Sequence, residues 1–189
     1  MPLASNIILI GGSAGSYSLI ADLLEQLPSH FDAAICIVLH RNRQYETQIE
    51  KSLSRKLKKN ILPAIDKLDI RKNHIYFAPA GYHLLIEPNF TFSLDSSEHI
   101  NYSRPSIDVL FETAAQIYKG NCTAFLLSGA NTDGAKGLRI IEDFGGKIII
   151  QDPNFAPIHT MPLAGINETL QPEIWSDAKI ISYFQTLNK

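Results

Sequence analysis

The chain has 189 residues, a formal net charge of −2, and 45% hydrophobic against 19% charged residues. This is an ordinary composition for a soluble globular protein, and it is long enough for one domain (residues 1–189) with a substantial core. The slight negative charge argues against nucleic acid as a partner. The N-terminus lacks a basic region and its apolar run is short, so we expect a cytoplasmic protein that is not an integral membrane protein.

Apolar runs alternate with helical patterns along most of the chain. Six near-continuous apolar runs predict buried parallel strands at Ile7–Ile10, Ala34–Leu39, Ile61–Ala64, Ile75–Ala78, Thr123–Leu127 and Lys147–Ile150. Helical periodicity predicts helices at Ser16–Leu27, Tyr45–Lys58, Ile107–Tyr118 and Ala135–Phe144. The alternation predicts an α/β fold, with a doubly wound, mostly parallel sheet that carries helices on both faces.

Three local features interrupt or refine this alternation. The runs His83–Glu87 and Phe90–Leu94 predict an antiparallel hairpin, within residues 80–95, at one edge of the sheet. The proline-containing C-terminal segment is expected to be rich in loops, with one short helix near Thr160–Ile166. Ser106 is expected to cap the helix that begins at residue 107.

The first predicted strand ends in Gly11-Gly12-Ser13-Ala14-Gly15, which fits the G-x-S-x-G nucleophile elbow. In an elbow, a tight turn between a strand and a helix exposes the hydroxyl of the central serine. Two other interpretations stay open at this point. Glycine-rich turns also bind dinucleotides, although here the second predicted strand ends in His40 and not in the acidic residue that contacts ribose. The serine could also lie in a purely structural turn.

Three chemically capable residues follow three predicted parallel strands. Ser13 follows the first strand, His40 ends the second, and Asp133 lies in the turn after Thr123–Leu127. Carboxyl ends of parallel strands share one rim of the sheet, so the fold should bring these side chains together. A hydroxyl, an imidazole and a carboxylate are the parts of a serine-hydrolase triad. Their order along the chain excludes a simple α/β-hydrolase, in which the acid precedes the histidine.

The remaining reactive side chains have simpler explanations. His83 lies in the predicted hairpin, where a structural role is favoured. Cys36 and Cys122 lie in or next to apolar strands and lack the spacing of metal ligands, so we expect reduced core residues.

Several blocks, taken in order, resemble the catalytic domain of the chemotaxis protein-glutamate methylesterases, the CheB family. The matching blocks are Ile-Gly-Gly-Ser-Ala-Gly (10–15), the strand ending in His40, Tyr-Phe-Ala-Pro-Ala-Gly-Tyr-His-Leu (76–84), Arg-Pro-Ser-Ile-Asp-Val-Leu-Phe (104–111), Leu-Leu-Ser-Gly-Ala-Asn-Thr-Asp-Gly-Ala-Lys-Gly (126–137), and Gln-Asp-Pro (151–153) with Met161-Pro162. They cover nearly the whole chain, and their order on one βα framework is more specific than any single block.

The resemblance implies a serine hydrolase that removes methyl groups from glutamyl methyl esters on the cytoplasmic helices of methylated chemoreceptors and also deamidates receptor glutamines. It places the family's catalytic serine, histidine and aspartate at Ser13, His40 and Asp133, and an oxyanion-hole backbone N–H at Ala130. No cofactor and no metal are implied. The family more often has Gly-Met-Gly where this chain has Gly129-Ala130-Asn131, and alanine where it has Gly12.

Typical members also carry an N-terminal receiver domain that blocks the site until it is phosphorylated. The first predicted strand begins near Asn6, so we expect a free-standing, constitutively competent esterase domain. The main alternative is an esterase or amidase of the same fold that acts on a different ester in a non-chemotactic signalling system. A catalytically silent module that docks on receptor helices is a further alternative.

Overall fold

The structure is a computed structural model and describes residues 2–41 and 48–187. Within these ranges, the strands are β1 (Ile7–Gly12), β2 (Ala34–Leu39), β3 (Ile61–Pro63), β4 (His74–Phe77), β5 (His83–Ile86), β6 (Phe92–Asp95), β7 (Cys122–Leu126), β8 (Lys147–Gln151) and β9 (Glu173–Trp175). The helices are α1 (Tyr17–Gln26), α2 (Ile49–Leu57), α3 (Ile107–Tyr118), α4 (Ala135–Asp143), α5 (Thr160–Glu168) and α6 (Asp177–Gln185). A 3-10 turn, Lys119–Asn121, joins α3 to β7.

Seven strands form one sheet in the order β3-β4-β2-β1-β7-β8-β9. All of its strand pairs are parallel. The chain first places β2, β3 and β4 on one side of β1, with β4 between β2 and the edge strand β3, and then returns to add β7, β8 and β9 on the other side. The direction of winding therefore reverses between β1 and β7, and the carboxyl ends flanking this switch point are where open α/β sheets bind ligands.

Side chains of the strands pack alternately against two helical layers. Ile7 and Leu9 face the core beneath α3, α4 and α5, whereas Ile8 and Ile10 face the core beneath α1, α2 and α6. Both faces of the central strands are thus buried, which explains their near-continuous apolar sequence. Among the described residues, no helix combines the length and apolar character needed to cross a lipid bilayer.

The predicted α/β fold class is confirmed, and the ends of the predicted strands lie within two residues of the observed ones, with β2 the same at both ends. The hairpin of β5 and β6 forms a two-stranded sheet of its own, packed against α3, and is not hydrogen-bonded to an edge of the main sheet. The predicted start of the second helix at Tyr45 lies outside the described residues, and the described helix begins at Ile49. The short helix expected near residue 160 is present as α5 and continues to Glu168.

The C-terminal segment contains more regular structure than the sequence analysis expected. Strand β9 adds to the edge of the sheet beside β8, and α6 packs against α1. The strand escaped prediction because it has three residues, and only Trp175 among them is buried. Such a short edge segment has neither the length nor the continuous apolar pattern of a central strand.

Candidate active site

Ser13 lies in the turn between β1 and α1, at the switch point of the sheet. Its N–H donates to Ser128 O at 2.9 Å, which extends the pairing of β1 with β7 by one residue beyond the strands. The turn closes when Ser16 N and Oγ both donate to Ser13 O, at 3.1 and 2.7 Å. A Cβ on Gly12 would lie 2.5 Å from Ser16 Oγ, so glycine before the serine makes room for this turn.

His40 follows β2 directly, and its backbone N–H donates to Gly12 O at 3.1 Å. The parallel register pairs Gly12 with Leu39, so Ser13 and His40 are the next residues on neighbouring strands. The His40 side chain is 12% exposed. Its ring is therefore largely surrounded by protein at the open end of the sheet, next to the predicted nucleophile.

Asp133 is fully buried in the loop between β7 and α4. Its Oδ2 accepts a hydrogen bond from His40 Nε2 at 2.8 Å, and a second from Ile107 N at 2.7 Å. Its Oδ1 accepts from Ser106 Oγ at 2.7 Å and from Asp108 N at 3.2 Å. The carboxylate therefore binds the imidazole and the first backbone N–H groups of α3 together.

These hydrogen bonds determine the ionisation of Asp133. Burial by itself raises the pKa of this carboxyl, but the hydrogen bonds from His40, Ile107 N and Ser106 Oγ outweigh it, and the pKa lies below its usual value. An ionised carboxylate can only accept hydrogen bonds, so His40 Nε2 carries the proton of this contact. The lone pair of the neutral ring then lies on Nδ1, the atom that would act as the base.

A second carboxylate completes a reciprocal arrangement of helix caps. Asp108, in the first turn of α3, accepts hydrogen bonds from Gly134 N at 2.9 Å and Gly137 N at 2.8 Å, at the start of α4. Asp133, just before α4, meanwhile caps α3. Burial and the nearby charge of Asp133 raise the pKa of Asp108 to about 6. Ser106 occupies the predicted cap position, but its hydroxyl donates to Asp133 and makes no cap hydrogen bond of its own.

The loop before Asp133 passes directly beside Ser13. A Cβ on Gly129 would lie 3.0 Å from Ser13 Cβ, and Gly129 N already donates to Ile158 O at 3.2 Å. Across the described part of the chain, neither Ala130 N nor Ala14 N donates a hydrogen bond to a protein acceptor, and both residues are exposed. Two backbone donors are therefore free near Ser13. Ala14 N was missed by the sequence analysis, although the residue after an elbow nucleophile commonly supplies such a donor.

The structure brings His40 and Asp133 into direct contact, with Ser13 and Ala130 on the same rim. Within the described residues, Ser13 Oγ makes no hydrogen bond to His40, so that predicted contact stays a prediction. The hydroxyl that does contact His40 Nδ1 is Ser103 Oγ, at 3.4 Å. Sequence reasoning missed Ser103, because it lies in an irregular loop 63 residues from His40 and carries no motif.

The other candidates lie outside this group. His83 is buried, with Nε2 on Glu98 O at 2.9 Å and Nδ1 accepting from Ser106 N at 3.1 Å, as expected for a structural histidine. Cys36 and Cys122 are buried free thiols. Among the residues that the structure describes, no three histidine, cysteine or acidic side chains are grouped so that they could hold a metal ion. A cleft of about 250 Å³ opens beside His40, and Tyr102 and Arg104 contribute to its walls.

Comparison with known proteins identifies the family that this chain resembles. Residues 8–184 match the family model described as CheB methylesterase. A putative protein-glutamate methylesterase/protein-glutamine glutaminase of Leptospira interrogans is 40% identical over 182 residues, which is 96% of this chain and 94% of that protein. The protein-glutamate methylesterase/protein-glutamine glutaminase of Thermotoga maritima is 29% identical over 169 residues, or 88% of this chain and 49% of that protein.

A crystal structure of the Thermotoga maritima CheB methylesterase catalytic domain has the same fold. It matches with a TM-score of 0.87 at 27% sequence identity, covering 96% of this chain and 98% of that one. The catalytic domain of that relative thus corresponds to the seven-stranded sheet and helices described above.

Proposed function

The chain belongs to the CheB methylesterase family, and from this premise we propose that it hydrolyses glutamyl methyl esters on chemoreceptors with Ser13 as nucleophile. His40 is the base and Asp133 the orienting carboxylate. The observation that carries the proposal is the 2.8 Å hydrogen bond between His40 Nε2 and Asp133 Oδ2, beside the elbow that holds Ser13. The family resemblance stated from the sequence motifs is confirmed by the matches, and the methylesterase activity follows from it.

The geometry of the site supports a direction for each proton. Asp133 accepts from Nε2–H, so the lone pair on Nδ1 takes the proton of Ser13 as Oγ attacks the ester carbonyl. The tetrahedral intermediate collapses when the C–O bond to methoxide breaks and Nδ1–H protonates the leaving methanol. A water molecule then loses a proton to Nδ1 and attacks the acyl-serine carbonyl. The bond to Ser13 Oγ breaks, Nδ1–H returns its proton to Oγ, and the released glutamate carboxyl ionises in water.

Negative charge on the carbonyl oxygen needs hydrogen-bond donors that are already in place. The free N–H groups of Ala130 and Ala14 lie on the two segments that meet at Ser13, and we assign both to the oxyanion hole. The family more often has methionine at the position of Ala130. A backbone donor does not depend on its side chain, so this difference leaves the proposed role intact.

The proposed substrates are methylated glutamates on the cytoplasmic helices of chemoreceptors, and we therefore also propose that the chain acts in the cytoplasm. Glutamines on the same helices are proposed as a second substrate, since attack on an amide carbonyl uses the same nucleophile, base and oxyanion donors. The relatives from Leptospira and Thermotoga are named for both activities. We further propose that residues 1–189 form a single catalytic domain.

The test is methanol release from a methylated receptor fragment by the purified chain. Ser13→Ala is expected to abolish release, whereas Ser18→Ala, which removes an exposed hydroxyl from the adjacent α1, should match the unmodified chain. A serine-directed fluorophosphonate should label Ser13, as mapped by peptide mass spectrometry. Methanol release that persists in Ser13→Ala would contradict the nucleophile. Rapid hydrolysis of generic esters without receptor demethylation would contradict the substrate.

A further inference from the structure

The loop before α3 carries a side chain that neither the triad nor the oxyanion hole uses. Residues 100–103 form a tight two-residue turn, in which Ser103 N donates to Ile100 O at 2.8 Å and Ile100 N to Ser103 O at 3.2 Å. Its central residues, Asn101 and Tyr102, have φ angles of 48° and 61°. Two consecutive left-handed residues are typical of a type I′ turn, which is unusual without glycine. Such conformations persist where surrounding contacts fix them.

Those surrounding contacts come from the loop that carries Asp133. Asn131 Nδ2 donates to Asn101 O at 3.3 Å and to Ser103 Oγ at 3.0 Å. Asn131 Oδ1 accepts from Asp133 N at 3.3 Å. Asn101 Nδ2 in turn donates to Asp108 Oδ2 at 3.1 Å. The turn is therefore tied to the same loop and helix that position the triad aspartate.

Ser103 stands where this network meets His40. Its hydroxyl is buried and has three neighbours: Asn131 Nδ2 at 3.0 Å, Asn101 O at 3.4 Å and His40 Nδ1 at 3.4 Å. A hydroxyl has one proton and two lone pairs. Asn131 Nδ2 can only donate, so it takes one lone pair of the Ser103 oxygen. Asn101 O can only accept, whereas Nδ1 accepts when it is bare and donates when it is protonated.

We propose that Ser103, held in place by Asn131, is a positioning residue that holds His40 at Nδ1 while Asp133 holds it at Nε2. The proposal rests on the proposed function of His40 as the base. In the resting enzyme the Ser103 hydroxyl donates to the bare Nδ1. Because Nδ1 has a single lone pair, the Ser103 proton turns to Asn101 O before Nδ1 takes the proton of Ser13, and the Ser103 oxygen then accepts from Nδ1–H until that proton passes to the leaving group. Both protonation states are thus matched by rotation of one hydroxyl.

Fixing both ring nitrogens restricts rotation of the imidazole about its bond to Cβ. Without Ser103, the ring would be held at one edge only, and fewer molecules would present Nδ1 to Ser13 at the moment of attack. Substrate binding does not depend on this contact. The expected signature is therefore a loss in kcat with little change in KM.

The experiment measures Ser103→Ala with and without substrate. We expect a loss of kcat of roughly 3- to 10-fold, the range for one hydrogen bond, with KM unchanged. In ¹⁵N-labelled protein without substrate, the Nδ1 resonance of His40 should move and the Nε2 resonance should stay. Ser103→Thr keeps the hydroxyl and should restore both. Ser54→Ala, which loses a hydroxyl that donates to Lys59 O at 3.0 Å, is the matched control.

Asn131→Ala should act in the same direction because it removes the donor that orients Ser103 Oγ. Combined with Ser103→Ala, it should cause less than the sum of the two single losses, because both changes remove the contact at Ser103 Oγ. Any loss that remains specific to Asn131→Ala reports its other contacts, to Asp133 N and Asn101 O. An unmoved Nδ1 resonance in Ser103→Ala would overturn the proposal, and so would a loss confined to KM. Failure of the proposed function would be seen separately, as no receptor demethylation by the unmodified chain, and the Nδ1 resonance would still test Ser103.

Discussion

Asp133 is expected to matter to both folding and catalysis, and two substitutions separate the two roles. Asp133→Ala removes one buried acceptor from four donors: His40 Nε2, Ser106 Oγ, Ile107 N and Asp108 N. A buried donor left without its acceptor costs about 1–3 kcal/mol, and several of these four donors would lack a partner, so we take about 3–5 kcal/mol for the substitution. In a chain of this length each kcal/mol lowers the Tm by about 2–4 °C. We therefore expect the Tm of Asp133→Ala to fall by about 6–20 °C.

Asp133→Asn keeps one carbonyl oxygen and should lose less stability than Asp133→Ala. Its amide nitrogen cannot accept from His40 Nε2–H, so the ring should shift its proton to Nδ1. The base would then face Ser13 already protonated, and we expect a loss of kcat on the order of 10⁴-fold.

The assay combines methanol release with thermal unfolding at neutral pH, and Ser13→Ala serves as the reference variant with intact packing. The reasoning fails if Asp133→Ala unfolds within about 2 °C of the unmodified chain, because the caps of α3 would then not depend on this carboxylate. It also fails if Asp133→Asn keeps substantial activity.

Three further sets of substitutions test the nucleophile, the buried Asp108 and the tight turn at Gly15. Ser13→Ala should remove nearly all methanol release with little change in Tm. Adding His40→Ala should hardly lower the small activity that remains, because triad members act as a unit. Additive losses measured in the double variant would argue against a triad. The pKa of Asp108 is raised to about 6, so the folded chain binds this proton more tightly than the unfolded chain does. The stability that this protonated carboxyl contributes is complete below about pH 4 and is lost as the pH rises through 6. Asp108→Asn should therefore flatten the change of Tm between pH 4 and 7. If Tm changes with pH in the same way in Asp108→Asn and in the unmodified chain, the raised pKa of Asp108 is contradicted. Gly15→Ala places a Cβ 2.8 Å from a proline and a serine side chain at φ +85°, whereas Gly145→Ala at φ +79° meets nothing within 4 Å. We expect Gly15→Ala to lower both Tm and kcat, and Gly145→Ala to show only the smaller Tm loss from the φ angle, in the same melting and methanol assays; equal losses in the two variants would exclude a steric role for Gly15.

The rim of the sheet was predictable from sequence because a parallel sheet collects the carboxyl ends of its strands at one edge. Ser13 and His40 each follow a predicted strand closely, so locating the ends of those two strands was enough to predict that both residues lie on this rim. The predicted residue Asp133 needed one more step, since it lies seven residues beyond the end of β7 at Leu126. Its place on the same rim was predicted because it lies in the turn between that strand and the next helix.

The contacts around the rim could not be predicted, because they join segments far apart in the chain. Local rules assigned the cap of α3 to Ser106, whereas the acceptor for its N–H groups is Asp133, 26 residues beyond Ile107. Ser103 lies in a polar loop without glycine, so its sequence gave no indication of a type I′ turn or of contact with His40. Separation of the hairpin from the main sheet likewise depends on how β5 packs on α3.

The reciprocal caps also bear on how such a domain can lose its activity during evolution. The Ser13 hydroxyl caps no helix, so a lineage freed from selection for hydrolysis can replace this serine and still keep the folded domain. Asp133 cannot drift in the same way, because α3 and the loop before α4 depend on its carboxylate. Inactive descendants of this fold should therefore lose the serine early and keep the aspartate, so an aspartate at this position is a poor guide to which family members remain enzymes.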